Sequence, residues 1–115
     1  MNLVILSGNV GRDPEVREFD NSKIVSFTFA TTKRGFKTQD GKEVADKTLW
    51  HNVTCRGKLG EIVEKYVKKG TKLNIVGEIN YREYTKDDTK HTVTEIIADK
   101  IDILSSADKS NDKPF

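Results

Sequence analysis

The stretch Lys47-Thr-Leu-Trp-His-Asn-Val-Thr-Cys-Arg-Gly-Lys58 decides how the rest of the chain is read. Two-residue alternation splits it into the two faces of a β-strand that runs into a turn. Leu49, His51, Val53 and Cys55 point one way and suit a core, while Trp50, Asn52, Thr54 and Arg56 point the other way. The single tryptophan of the chain thereby stands on an open sheet face beside an arginine. A stacking platform is one reason for an indole to be there, because any planar heterocycle offers a π-face and an arginine can stack on it or meet an anion. The competing reading packs the indole under a loop or against a second subunit.

Upstream, Lys33 to Asp46 is a polar loop in which Asp40-Gly41 can turn a small hairpin. Its segment Lys33-Arg34-Gly35-Phe36-Lys37 sets an aromatic among three cations, the composition of a flexible basic finger. Before it, Ile24 to Thr32 is a strand rich in β-branched and aromatic residues, with Val25, Phe27 and Phe29 on the core face. Asn2 to Val10 is a first strand with Val4, Leu6, Gly8 and Val10 on one side and Leu3, Ile5, Ser7 and Asn9 on the other. It starts apolar on both sides, as a central or subunit-facing strand does. Gly8 suggests a bulge or tight bend, and Gly11-Arg-Asp-Pro14 breaks the strand.

Downstream, Lys58 to Lys69 predicts a helix with Leu59, Ile62, Val63, Tyr66 and Val67 in one apolar stripe. Glu61 and Glu64 lie toward its start, Lys65, Lys68 and Lys69 toward its end, and Gly70 stops it. Thr71 to Tyr81 is a fourth strand, and Arg82 to His91 a hairpin connection with a charged tip and Tyr84 near its base. Val93 to Leu104 is a fifth strand, with Val93, Ile97, Ile101 and Ile103 set against Ile96, Ala98 and Leu104. Ser105 to Phe115 lacks periodicity and reads as a disordered tail.

Composition narrows the function. The formal charge of +2, from 20 Lys and Arg against 18 Asp and Glu, excludes a polycation, so any anionic polymer must be held by local clustering. One cysteine forbids an internal disulfide or a cysteine-based zinc site, and two histidines make a protein-supplied metal cage an unsuitable expectation; no cofactor is expected. No apolar run reaches the roughly 18 residues of a membrane span, and the first residues lack a signal peptide's features, so a cytoplasmic protein without a membrane partner is expected. An enzyme is disfavoured: the acids lie mostly in turns and on the helix, Asp87-Asp88 on a loop tip, and His51 and Cys55 stand too far apart on an extended strand to pair.

Three strands, one helix and two strands give an all-β OB-fold, a five-stranded Greek-key barrel capped by the helix between its third and fourth strands. Residues 1–104 form this domain and 105–115 the short tail. In such barrels the second and third strands and the neighbouring loops bind single-stranded nucleic acid or oligosaccharide, which brings Trp50, Phe36 and Tyr84 to one side.

The run Asn2-Leu-Val-Ile-Leu-Ser-Gly-Asn-Val-Gly-Arg-Asp-Pro-Glu-Val-Arg17 resembles the opening of the bacterial single-stranded-DNA-binding proteins. Thr48-Leu-Trp-His51, Gly57-Lys58-Leu59, Tyr66-Val-Lys-Lys-Gly70, Val76-Gly-Glu78 and Thr94-Glu-Ile-Ile-Ala98 resemble it too, in order, across residues 2–104. The resemblance implies OB domains assembled as homotetramers that wrap single strands without sequence readout in replication, recombination and repair. It makes Trp50 the stacking tryptophan, Lys58 and Lys69 basic positions along the DNA path, and Tyr84 and Phe36 loop aromatics. His51 matches a position of subunit contact, with a core histidine as the alternative. Lys33, Arg34, Arg56 and Arg82 complete the expected set of phosphate neutralisers.

The chain also departs from the family pattern. Arg56 stands where many members carry an aromatic, and Asn52 and Glu83 where the residue is often basic, so binding should lean on salt-sensitive terms and be weaker. The segment after the domain is short and weakly acidic, yet it keeps the Pro114-Phe115 tip that implies docking of replication and repair proteins. The rival reading is an OB-fold replication or primosome adaptor that binds mainly proteins.

Overall fold

β-Branched and aromatic residues at alternate positions make the long strands, and turn residues separate them. The computed structural model describes residues 1–105. In chain order these form β1 (Val4–Val10), β2 (Glu15–Phe19), β3 (Ser22–Lys33), β4 (Phe36–Lys37), β5 (Glu43–Val44), β6 (Lys47–Arg56), α1 (Gly57–Tyr66), β7 (Lys72–Lys86) and β8 (Thr89–Ser105). β1 pairs with both β7 and β3, so the order β1-β7-β8-β6-β3 returns on itself and closes a five-stranded barrel. With α1 between the third and fourth barrel strands, this is the OB-fold.

The break at Gly11 to Pro14 does not end the run of β1. Val10 pairs with Phe29 and Glu15 with Ser26, both antiparallel to β3, so β2 continues β1 along the same neighbour. Gly8 lies where β1 passes from β7 toward β3, and a Cβ there would stand 2.0 Å from the Ala30 carbonyl oxygen. Closure of the barrel therefore requires a residue without a side chain at this point.

The core is built from the faces that alternation assigned: Val25, Phe27 and Phe29 of β3, Val53 and Cys55 of β6, Leu73 and Ile75 of β7, and Ile96 and Ala98 of β8. Phe27 and Phe29 meet edge to face with ring centroids 6.2 Å apart. Leu49 on this face is exposed, opposite Thr31 near the end of the β3–β6 ladder.

Four expectations change. The helix ends at Tyr66, not Lys69. The amide of Val67 still bonds Val63, but the amide of Lys68 donates to Thr71 Oγ1 (3.0 Å), that of Lys69 to Asp13 Oδ1 (2.8 Å) and that of Gly70 to the Val10 carbonyl (2.8 Å). Tertiary acceptors thus draw off the donors that another helical turn would use. Only Lys65 lies in the last turn, no acid lies in the first, and of the apolar stripe Val63 and Val67 are buried while Ile62 and Tyr66 are exposed.

In β8, Asp99 has no partner in the register between Val76–Lys100 and Gly77–Ala98, a bulge that reverses the phase. Ile101 and Ile103 accordingly pair with the core residues Ile75 and Leu73, on the side of Ile96 and Ala98 rather than that of Ile97. The connection over Arg82 to His91 is strand almost throughout: β7 and β8 run on to a two-residue turn at Asp87 and Asp88, both at positive φ (53° and 63°). That geometry suits the twist of a hairpin, and Asp tolerates it better than most residues.

Ser105, assigned to the tail, closes β8 opposite Lys72. The rest of the expected tail, with Pro114 and Phe115, lies outside the described residues. Among those described, no helix is long and apolar enough to cross a membrane.

Candidate nucleic-acid interface

β3 and β6 pair along ten registered positions, from Ile24–Arg56 to Lys33–Lys47, and their outer face is the open side of the barrel. Its length is nine residue steps of about 3.3 Å, or roughly 30 Å. Trp50 is 62% exposed on this face, opposite Ala30, with Asn52 and Arg56 exposed on the same side. The indole is nevertheless located. A Cβ on Gly11 would stand 2.4 Å from Trp50 Cζ3 and 2.7 Å from Thr28 Oγ1, so the ring edge rests against the bare backbone of the β1–β2 turn. One edge is seated and the remainder is offered to solvent.

Beside it a cleft of about 400 Å³ runs between the β1–β2 turn, the β3–β6 face and the base of the β7–β8 hairpin. Arg12 and Arg82 line it together with Asp13, Glu15 and Glu95, and Ser26, Thr28, Asn52 and Thr54 form the polar floor. Thr54 is buried, unlike its neighbours on that face, where β6 pairs with β8, and its hydroxyl donates to Glu95 Oε1 (2.9 Å). Arg12 and Glu95 were absent from the residues singled out in the sequence. Arg12 sits in a turn that reads as a breaker, and Glu95 is one acid within a strand, so neither carries a local signal.

The expected residues divide by position. Arg82 lines the cleft, and Tyr84, two residues further on the same face of β7, is half-exposed at 40% and stacked on His91 with ring centroids 5.2 Å apart. Lys69 is brought to the cleft edge through its backbone bond to Asp13. Arg56 ends the face at one extremity and leads into Lys58 in the first turn of α1, while Lys33 ends it at the other, where Arg34 follows. Phe36 is 58% exposed on a separate two-stranded hairpin, β4–β5, tied back by the Gly35 amide to Asp46 Oδ1 (2.7 Å). His51 lies half-buried on the opposite side of β6, its Nε2 2.9 Å from Thr31 Oγ1.

The displaced titrations lie away from this face. A hydrogen bond from Lys23 to Glu64 raises the lysine, one from Thr38 lowers Asp40, and burial pushes the Cys55 thiol up to about 12. Among the described residues no group of three or more His, Cys, Asp or Glu side chains could hold a metal ion. The face is equipped with planar and cationic groups, the means of holding an extended polyanion that carries flat rings.

An OB barrel with an exposed indole and arginines along its open face defines a class of oligonucleotide-binding domain. The family model for the "Single-strand binding protein family" matches residues 1–104, and the chain belongs to that family. It is similar to the single-stranded DNA-binding protein of Bacteroides thetaiotaomicron, 43% identical over 107 residues, which are 91% of this chain and 66% of that protein. It is also similar to the Neisseria meningitidis serogroup B protein of the same name, 36% identical over 112 residues, 96% of this chain and 64% of the relative. The chain thus spans just under two thirds of the length of these relatives. Among solved structures it superposes on the chain of a Plasmodium falciparum SSB complex with ssDNA with a TM-score of 0.80 at 25% identity, over 91% of this chain and 96% of that one.

Proposed function

We propose that this chain binds and protects single-stranded DNA without reading its sequence, as a coating protein of replication, recombination and repair. The observation that carries the reading is Trp50, 62% exposed on the β3–β6 face beside the cleft where Arg12 and Arg82 stand among three acids. Bases stack on Trp50 and Tyr84, with Phe36 engaging the strand from its hairpin. Lys33, Arg34, Arg56, Lys58, Lys69 and Arg82 neutralise phosphates, and Arg12 joins them from the β1–β2 turn. Stacking tolerates every base, so the binding has no sequence code.

The protein performs no reaction of its own. It works as a homotetramer, with His51 near a subunit contact and the exposed Leu3, just before β1, and Ile5, within it, as apolar surface for association. Family membership supports placing it in the cytoplasm on the nucleoid. Pro114 and Phe115, outside the described residues, are assigned to docking of replication and repair proteins.

The lone tryptophan supplies the test. Its fluorescence is titrated with oligo(dT) and with duplex DNA at low and high salt. Strong quenching by the single strand alone is expected, weakening with salt. Absent quenching, or equal quenching by duplex, overturns the reading and leaves a protein-binding adaptor in front.

A further inference from the structure

Glu95 is a carboxylate only 5% exposed, yet it sits within a groove proposed to receive a polyanion. Burying an acid there needs compensation. Oε1 accepts from the Thr54 hydroxyl (2.9 Å), Oε2 accepts from Asn80 Nδ2 (2.9 Å), and Arg82 Nε stands 3.5 Å from Oε2. Asn80 and Arg82 share a face of β7, and Asn80 is the register partner of Glu95.

The arginine is held by one part of its head. Its Nε faces the buried acid, while the side chain as a whole remains 57% exposed at the cleft. A guanidinium anchored through Nε still has its two terminal nitrogens, the fork that grips a phosphate with two parallel bonds. We infer that Glu95 is a positioning residue of the groove, its carboxylate fixing Arg82 so that the terminal guanidinium nitrogens are presented to a backbone phosphate of the single strand. The acid that should repel DNA strengthens its binding. Its own charge is met by two hydrogen-bond donors and by the arginine's cation, and the arginine gives up less freedom on contact because it is already oriented.

This inference rests on the single-strand reading, and a mutant cycle separates the two. Oligo(dT) affinity is measured over a salt series for the wild-type chain, Glu95→Gln, Arg82→Ala and the double variant. Arg82→Ala should bind less tightly and flatten the log–log salt slope by about 0.7, the loss of one phosphate contact. Glu95→Gln should also weaken binding, several-fold, and should cost nothing further when Arg82 is already Ala. Arg82→Lys, a surface change that keeps the charge but has no Nε and no fork, should bind as poorly as Glu95→Gln.

Tighter binding by Glu95→Gln would mean that the acid merely repels phosphate and would overturn the inference. So would losses that simply add in the double variant, the result of a purely structural role. If Glu95→Gln does not fold, Arg82→Lys decides alone, since wild-type affinity there overturns the inference. Failure of the wild-type chain to bind oligo(dT) overturns the underlying reading and this inference with it.

Discussion

Replacing Trp50 by Ala tests the stacking face most directly, because its effects on folding and on binding are predicted separately. With 62% of the residue exposed, about 90 Å² of an indole side chain of roughly 250 Å² is covered, the edge that meets Gly11 included. At about 25 cal/mol per Å² that burial is worth at most about 2 kcal/mol, so the variant should fold and melt several degrees lower. A stacked base is worth about 1–3 kcal/mol, so binding should fall by about fivefold to about 150-fold. The salt slope should not move, because no phosphate contact is removed. The variant has no tryptophan to report, so affinity is read from the anisotropy of a dye-labelled oligo(dT) at 20 °C or below, with Trp50→Phe as a control that keeps a stacking ring. Wild-type affinity for Trp50→Ala would refute the argument. A loss accompanied by a flatter salt slope would do so as well, since it would show that the indole acts by holding a cation in place.

Gly11→Ala attacks the same platform from beneath: its Cβ would stand 2.4 Å from the indole, which must move, while the barrel core is untouched. Weaker oligo(dT) binding and a shifted tryptophan emission at near wild-type stability are expected, and unchanged emission would show that the ring edge does not rest there. Cys55 provides a pH test of the core. Burial pushes its thiol up to about 12, whereas the unfolded chain ionises it near about 8.5. The folded state therefore retains a proton that the unfolded state releases, and the stability from this group is complete below about pH 8.5 and is lost as pH rises toward about 12, by up to about 1.4 kcal/mol per unit. Urea unfolding between pH 8 and 10.5 should show a steeper alkaline decline for the wild-type chain than for Cys55→Ala, and parallel declines would contradict the buried thiol.

The two faces of β6 were legible because alternation in a strand follows from backbone geometry alone, and Trp50 emerged on the open side as the pattern required. The same rule misassigned β8 beyond Ala98, because the bulge at Asp99 depends on how β7 pairs there and leaves no local mark in the sequence. The helix end was missed for a related reason. Helical spacing continues through Val67, but Thr71, Asp13 and the Val10 carbonyl take the following amides, and two of these three acceptors come from more than 50 residues away. The cleft was legible only in part. Arg82 could be named as a cation near a groove, whereas the value of Glu95 lies in Thr54 and Asn80, one on β6 and one on β7, which only the closed barrel brings to it.

The barrel's seam explains why the groove lies where it does. β6 and β8 run parallel and share only two registered pairs, Val53–Ile96 and Thr54–Ile97, against ten for β3 with β6. The backbone ladder is as short here as between β1 and β3, and side chains cross the gap: Thr54 to Glu95, and Asn52 Nδ2 to the Thr94 carbonyl at 3.5 Å. The cleft lined by Asn52 and Arg82 opens beside this seam. The polar groups that stitch the seam are thereby the floor of the groove. In the proposed function that coincidence has a consequence: a strand lying in the cleft bears on the groups that join β6 to β8, so DNA binding should slow hydrogen exchange at Thr54 and Ile96 beyond the protection of residues it covers. Protection confined to the β3–β6 face, with the seam unchanged, would uncouple the groove from the closure of the barrel.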